Sequence, residues 1–209
     1  MSKDRPTSES IESVEPALIP NVLCNAAGIP ERVETERLII RLWEPNDAEA
    51  AQTAVTASIE HLRPWMPWIA AEPLSVDDRR ALIAQWRTQW EEGGEAVYGI
   101  FTKPTAGRGE TVAGGTGLHR RVGPDGLEIG YWVGIDHVRQ GYALEASAAL
   151  TSTALAIDGI NRVQIHHDKA NVASAGVPSK LGYTLVREEP REPMAPAEIG
   201  IMCIWQFSG

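Results

Sequence analysis

Arg139-Gln140-Gly141-Tyr142-Ala143 is the stretch of this 209-residue chain whose residue types and spacing lend themselves most directly to chemistry. It follows an apolar, β-rich run, Leu127–Val133, after a short loop, and it opens an Ala- and Leu-rich segment, Gln140–Ile157, with helical character. A helix N-terminus offers unpaired amides and the positive end of the helix dipole, which suits an anion such as a pyrophosphate. Gly141 lets the backbone come close to that anion, and Arg139 adds a charge-assisted donor. A plain strand-to-helix junction has the same composition, so both readings stand at this point. Other phosphate-binding and nucleophile patterns are absent: there is no GxxxxGK[ST], Gly114-Gly115-Thr116-Gly117 does not lead a GxGxxG into a helix, and no GxSxG elbow occurs.

Further polar and aromatic candidates lie in three places. His61, Trp65 and Trp68 lie in the proline-rich loop HLRPWMPWI, where tryptophans either cap a core or wall a substrate pocket. His119 follows the glycine-rich strand VAGGTGL and either faces an acceptor or is a hydrogen-bonded histidine of the surface. His166 and His167 are neighbours on one strand, so they point to opposite faces and cannot both chelate one metal; one of them faces any opening in the sheet. No metal site is expected.

These candidates need a scaffold, and the order of patterns supplies one. Glu36–Leu42 reads as a strand. Pro45-Asn46-Asp47 opens a helix to about Ser58, with Asp47 as the acceptor for its first-turn amides. Leu62–Ile69 carries two prolines and reads as loop. Val76–Glu92 is helical, its Leu82, Ile83, Trp86 and Trp90 at helical spacing, and Gly93-Gly94 stops it. Val97–Thr102, Val112–Leu118 and Leu127–Val133 read as strands, then Gln140–Ile157 (helix), Arg162–His167 (strand), Ala173–Leu181 (helix), Tyr183–Arg187 and Ile199–Phe207 (strands). Helices first, an antiparallel run, then alternating strands and helices predict a three-layer α/β or α+β domain over 31–209. Residues 1–30, with four acids, two bases and prolines at 6, 16, 20 and 30, show no sustained period and read as a flexible or loosely docked extension, in which Ala17–Val22 has enough apolar character to dock.

Composition narrows the function classes. Apolar residues make up 43% and charged residues 22%, ordinary globular usage, and the net charge is −9, which disfavours a nucleic-acid backbone as partner. No apolar run approaches the ~20 residues of a membrane span, and no secretory signal is present, so a cytoplasmic protein without membrane attachment is expected. Cys24 and Cys203 are too few for a disulfide framework.

LEIGYWV, VRQGYALEA and DKANVASAGVPSKLGY together resemble the GNAT superfamily of acetyl-CoA-dependent N-acetyltransferases, and ETERLIIRLWEPNDAEA and HLRPWMPW are similar to its RimJ/RimL-type branch. The resemblance spans about residues 34–207. It implies a mixed, mostly antiparallel central sheet flanked by helices on both faces, whose middle strands splay to admit the pantetheine arm of acetyl-CoA. It also implies that the backbone amides of Arg139, Gln140, Gly141, Tyr142 and Ala143 meet the pyrophosphate, beside Val138, and that Tyr131, Trp132 and Val133 pair with the pantetheine amides. Asn171 and Ser174 match the family's N-x-x-S beside the thioester. Two positions depart from the family pattern: Val138 stands where Gln or Arg is usual, and Arg139 replaces a frequent glycine. A tyrosine that many relatives place seven residues after the asparagine is Pro178 here, as is common in this branch. A homodimer is common among relatives.

Within that resemblance Glu128, on the same strand face as Trp132, is the base candidate, directly or through water, or else a carboxylate that orders neighbouring strands. Ser174 either donates to the leaving thiolate or holds the pantetheine, or else is a plain first-turn hydroxyl. The acceptor site is expected to draw on His61, Trp65, Trp68 and His119. An α-amine with pKa near 7.8 costs roughly 1 kcal/mol to deprotonate at pH 7, a lysine near 10.4 about 4.6 kcal/mol, so modest base equipment favours α-amines. The expected activity is direct acetyl transfer to a primary amine, a protein N-terminus such as that of a ribosomal protein or a small amine. A detoxifying acetyltransferase and a non-catalytic acyl-CoA-binding module are the competing readings.

Overall fold

A computed structural model describes residues 22–107 and 109–209. Eight strands form one sheet: β1 (Arg32–Glu34), β2 (Leu38–Leu42), β3 (Ala96–Thr102), β4 (Thr111–His119), β5 (Gly126–Val133), β6 (Arg162–Asp168), β7 (Thr184–Pro190) and β8 (Ile201–Ser208). Their order is β1-β2-β3-β4-β5-β6-β8-β7, antiparallel at every pairing except β5–β6. Four helices accompany them: α1 (Ala48–Leu62), α2 (Val76–Glu91), α3 (Tyr142–Leu155) and α4 (Val172–Lys180). The fold is the α/β class expected, with helices on both faces of a mostly antiparallel sheet.

Strand alternation divides the core between the faces. In β2, Leu38, Ile40 and Leu42 join the larger cluster, with Leu118, Leu127, Ile129, Val163 and Ile165 against Ala146, Leu150 and Ala154 of α3. Ile39 points the other way, joining Phe101, Trp43 and Ile83 of α2. Small residues on α3 let it lie close to the sheet. Because Leu127, Ile129, Val163 and Ile165 share the α3 face, Glu128, Gln164 and His166 must lie on the opposite face.

The parallel β5–β6 pairing is short. Gly126, Leu127 and Glu128 pair with Arg162, Val163 and Gln164, and no pairing follows. From Ile129 onward β5 keeps its partner β4 but leaves β6, whose remaining residues pair only with β8. The sheet therefore opens as a wedge between 129–133 and 165–168.

Several local expectations change. Asp47 does not accept from the first turn of α1; its Oδ2 accepts the Glu44 amide (2.7 Å) and pairs with Arg41 (2.7 Å). A 3-10 turn at Pro45–Asp47 precedes α1 and moves the helix start past the aspartate. Ser75 caps α2 instead, accepting from the Asp78 amide at 3.1 Å. The proline-rich stretch is not all loop: Leu62 closes α1 and Pro67–Ala71 forms a 3-10 turn, Pro67 at its start where a missing N–H costs nothing. Of the segment 1–30, residues 1–21 and with them most of the docking patch at 17–22 lie outside the described residues. Residues 22–30 pack on the domain. Asn25 Nδ2 donates to the carbonyls of Trp90 (2.9 Å) and Gly94 (3.2 Å), and Ile29 is fully buried in the α3-side core.

Candidate active site

The wedge opens into a cleft of about 700 Å³ bounded by β5, the start of α3, the first turns of α4 and the end of α1. Its lining gathers residues from 61 to 180: Tyr131, Trp132 and Val133 along the unpaired strand, Val138, Arg139, Gly141, Tyr142 and Ala143 at the α3 tip, and Asn171 and Ser174 at the start of α4. His61 and Trp65 close the end nearest α1.

The α3 tip leaves its first-turn amides without a side-chain cap beside the cleft. Gly141, the residue before the helix, is left-handed (φ 82). Glu145, in that first turn, is engaged by Arg37 (2.5 Å). Arg37 also donates to the Gln140 carbonyl (3.0 Å), which fixes the loop from behind. The Gln140 side chain turns away from the cleft and donates to the Asp136 carbonyl at 3.1 Å. Arg139 is exposed and left-handed (φ 61), a conformation glycine adopts freely. An arginine there holds its guanidinium at the cost of local backbone strain.

Across the cleft, the N-x-x-S motif is first of all a helix cap: Asn171 Oδ1 accepts from the Ser174 amide at 3.1 Å. Ser174 Oγ lies 3.0 Å from the Tyr131 hydroxyl, which also reaches the Ser174 carbonyl at 3.1 Å. Tyr131 thus ties β5 to α4 across the wedge. Burial pushes its phenol up to about 12, so at neutral pH it stays protonated. Sequence reasoning assigned Tyr131 only through its backbone. Lys180, at the end of α4, also lines the cleft and adds a second cation beside Arg139.

Trp132 faces the α1 side, its indole lying over Gly115, where a Cβ would collide with the ring nitrogen. The glycine run in β4 is therefore a bed for this tryptophan. Trp68 packs on Trp132 (centroids 6.0 Å apart) without reaching the cleft wall. His119 also lies away from the cleft, its Nδ1 2.7 Å from Glu95 Oε2, and that hydrogen bond holds the Glu95 carboxyl below its ordinary value against the effect of burial.

Glu128 sits where β5 and β6 part, on the face opposite α3. Its side chain is 15% exposed, with Arg121 Nη1 at 3.9 Å and His166 Nδ1 at 3.4 Å. Beyond it on that face runs a second, open groove of about 500 Å³ lined by Arg121, Gln164, His166, Arg187, Glu189 and Gln206 among others. The wedge thus has an α3 side with an uncapped helix tip and an opposite side carrying a carboxylate. Cys24 and Cys203 belong to neither cleft. Among the described residues no group of three or more His, Cys, Asp or Glu is placed to hold a metal, and no helix is long and apolar enough to cross a membrane.

Residues 37–184 match the family model of the acetyltransferase (GNAT) domain. The chain belongs to the GNAT acetyltransferase family. Among curated proteins it is 28% identical over 151 residues to "Putative ribosomal N-acetyltransferase YdaF" of Bacillus subtilis (strain 168), covering 71% of this chain and 78% of that one. It is 30% identical over 183 residues to mycothiol acetyltransferase of Amycolatopsis mediterranei (strain U-32), covering 83% of this chain and 55%, about half, of that relative. Among solved structures, RimL, ribosomal L7/L12 α-N-protein acetyltransferase, in complex with coenzyme A superposes with a TM-score of 0.72 at 19% identity, over 83% of this chain and 95% of that one.

Proposed function

We propose that this protein is an acetyl-CoA-dependent N-acetyltransferase that acts on a primary α-amine, of the kind found at a protein N-terminus. The observation that carries this reading is the wedge itself: unpaired strand edge along 129–133, uncapped amides at one end, a carboxylate at the other. An elongated donor with an anionic end fits from the α3 side. Tyr142, Ala143 and Leu144 offer amides to its diphosphate, Arg139 and Lys180 offer cations, and the β5 backbone offers strand-like pairing to its amide-bearing arm. The names of YdaF and RimL favour a ribosomal protein as acceptor.

Transfer is direct. The acceptor amine attacks the thioester carbonyl, the C–S bond breaks, and the acetyl group never rests on the protein, since no cysteine lies in the cleft. Glu128 takes a proton from the incoming amine at the open face. Ser174 Oγ, held in place by Tyr131, donates to the sulfur as negative charge grows there. A buried phenol near 12 is a poorer acid than a thiol near 8.5, so this hydroxyl pair stabilises the thiolate by hydrogen bonding instead of surrendering a proton outright.

The test is thiol release from acetyl-CoA over a panel of short peptides and small amines. A serine- or alanine-initiated peptide should accelerate release more than a blocked peptide carrying only lysine. Glu128→Gln should lose about 100-fold in kcat at pH 7, within the usual range for a general base, and recover in part above the acceptor's pKa. Full activity of this variant, or a flat pH response, removes Glu128 as base. Coenzyme A binding without turnover of any acceptor would make the protein a binding module.

A further inference from the structure

We infer that His166 is a second proton acceptor at the acceptor face, and that Glu128 and His166 together form the cradle in which the acceptor's ammonium group is held and deprotonated. The inference rests on the reading above, in which the acceptor approaches from the face opposite α3. The two side chains come from strands 38 residues apart, and the short β5–β6 pairing brings them together at the root of the wedge.

His166 is oriented by a chain of amides. Gln206 Nε2 donates to Ser208 Oγ (3.2 Å), and Gln206 Oε1 accepts from Gln164 Nε2 (2.9 Å). Gln164 thereby presents Oε1 to His166 Nε2 at 2.8 Å. A carbonyl oxygen only accepts, so His166 Nε2 carries the hydrogen and, in the neutral ring, Nδ1 is left with a bare lone pair. That lone pair faces Glu128 Oε2 at 3.4 Å. Among the described residues no donor makes a hydrogen bond to the Glu128 carboxylate; Arg121 stays 3.9 Å away. Two acceptors side by side, 17% and 15% exposed, lack the donor between them, and an alkylammonium supplies that donor with hydrogens to spare.

The groups facing His166 set its protonation. Burial lowers its pKa, as do Arg187 and Arg191, while Glu128 and Glu189 act in the opposite sense; the balance lies below the ordinary histidine value. The ring is therefore neutral at pH 7 and able to accept.

The reaction needs two acceptors because two protons must leave the nitrogen: R–NH3+ and CH3CO–S–CoA give R–NH–COCH3, HS–CoA and H+. The first proton passes from the ammonium to Glu128 Oε2 and on to His166 Nδ1, leaving an imidazolium beside a carboxylate that is again able to accept. The freed lone pair forms the C–N bond, the C–S bond breaks, and the second N–H proton passes to Glu128 as the amide forms. One proton ends on the CoA sulfur and the other leaves to solvent along the groove of Arg187 and Glu189.

Two experiments decide. The first needs no acceptor: imidazole nitrogen shifts of the full-length protein should show His166 as the Nε2–H form at pH 7, and in Glu128→Gln its pKa should fall further. An Nδ1–H ring, or a titration unmoved in that variant, overturns the cradle. The second compares kcat/KM against pH for a serine-initiated hexapeptide in wild type, Glu128→Gln, His166→Gln and the double variant. His166→Gln should lose ten- to 100-fold at pH 7, recover above the peptide's amine pKa, and keep its KM for acetyl-CoA. A flat, wild-type profile for His166→Gln with Glu128→Gln impaired overturns this inference alone; wild-type profiles in both single variants overturn the Glu128 reading as well.

Discussion

Replacing Gly141 with valine separates what the α3 tip contributes to the fold from what it contributes to the donor. The residue is left-handed at φ 82 and the nearest atom to a new Cβ is Arg37 Nη2 at 3.4 Å, so the substitution strains the backbone without colliding with the core. A non-glycine residue in that region costs about 1–2 kcal/mol. At roughly 2–4 °C per kcal/mol for a chain of this size, Tm should fall by about 2–8 °C. Relief of that strain would also move the backbone of the tip, and with it the uncapped amides that border the cleft. Losing one amide–phosphate hydrogen bond, worth about 1.5–3 kcal/mol when charge-assisted, weakens coenzyme A by about 10- to 150-fold. Gly159→Val is the control: it has the same left-handed backbone (φ 83), open space around its Cβ, and a position outside the cleft lining. Calorimetric titration with coenzyme A and thermal scans of both variants should show similar losses of Tm but a loss of affinity for Gly141→Val alone. Equal coenzyme A affinity in the two variants refutes the phosphate role of the tip.

Two further outcomes follow from side chains outside that tip. Asp168, buried at the end of β6, accepts from the amides of Ala170 (2.9 Å), Ile199 (3.2 Å), Gly200 (2.9 Å) and Ile201 (3.3 Å), which hold its carboxyl below the ordinary value against burial. Asp168→Ala should cost about 3 kcal/mol at pH 7 by stranding those amides. A lowered folded pKa confers stability that is present above the unfolded value near 3.9 and lost as pH falls through the folded one, so the gap between wild type and variant should close in acid; a pH-independent gap in chemical denaturation would contradict this. Tyr131→Phe should lower kcat several-fold while leaving KM for acetyl-CoA within twofold, because it removes the group that fixes Ser174 Oγ and no donor contact; a larger effect on KM than on kcat would contradict that role.

Much of the scaffold is legible along the chain because its signals are local. Apolar alternation in LIIRL and the Ala/Leu periodicity of 142–155 fix β2 and α3, and the glycine before Tyr142 marks where an uncapped helix begins. The residues proposed for the cleft come from the resemblance to the family, since local signals mark only where the strands end and the helices start. What the sequence hides is cross-strand placement. Whether Glu128 meets His166, or His119 meets Glu95, depends on sheet order, which no periodicity encodes. Trp68 shows the limit for loops, where the same aromatic composition serves either a pocket wall or, as here, a brace behind Trp132. Ile29 shows the limit of composition, since one buried side chain anchors a segment that otherwise reads as irregular.

The most direct measurement is a crystal structure of the coenzyme A complex. The account predicts a diphosphate at the amides of Tyr142–Leu144, a pantetheine arm along 131–133, and the sulfur beside Ser174. Coenzyme A seated elsewhere, or a complex in which 129–133 and 165–168 have closed into a continuous ladder, would contradict it.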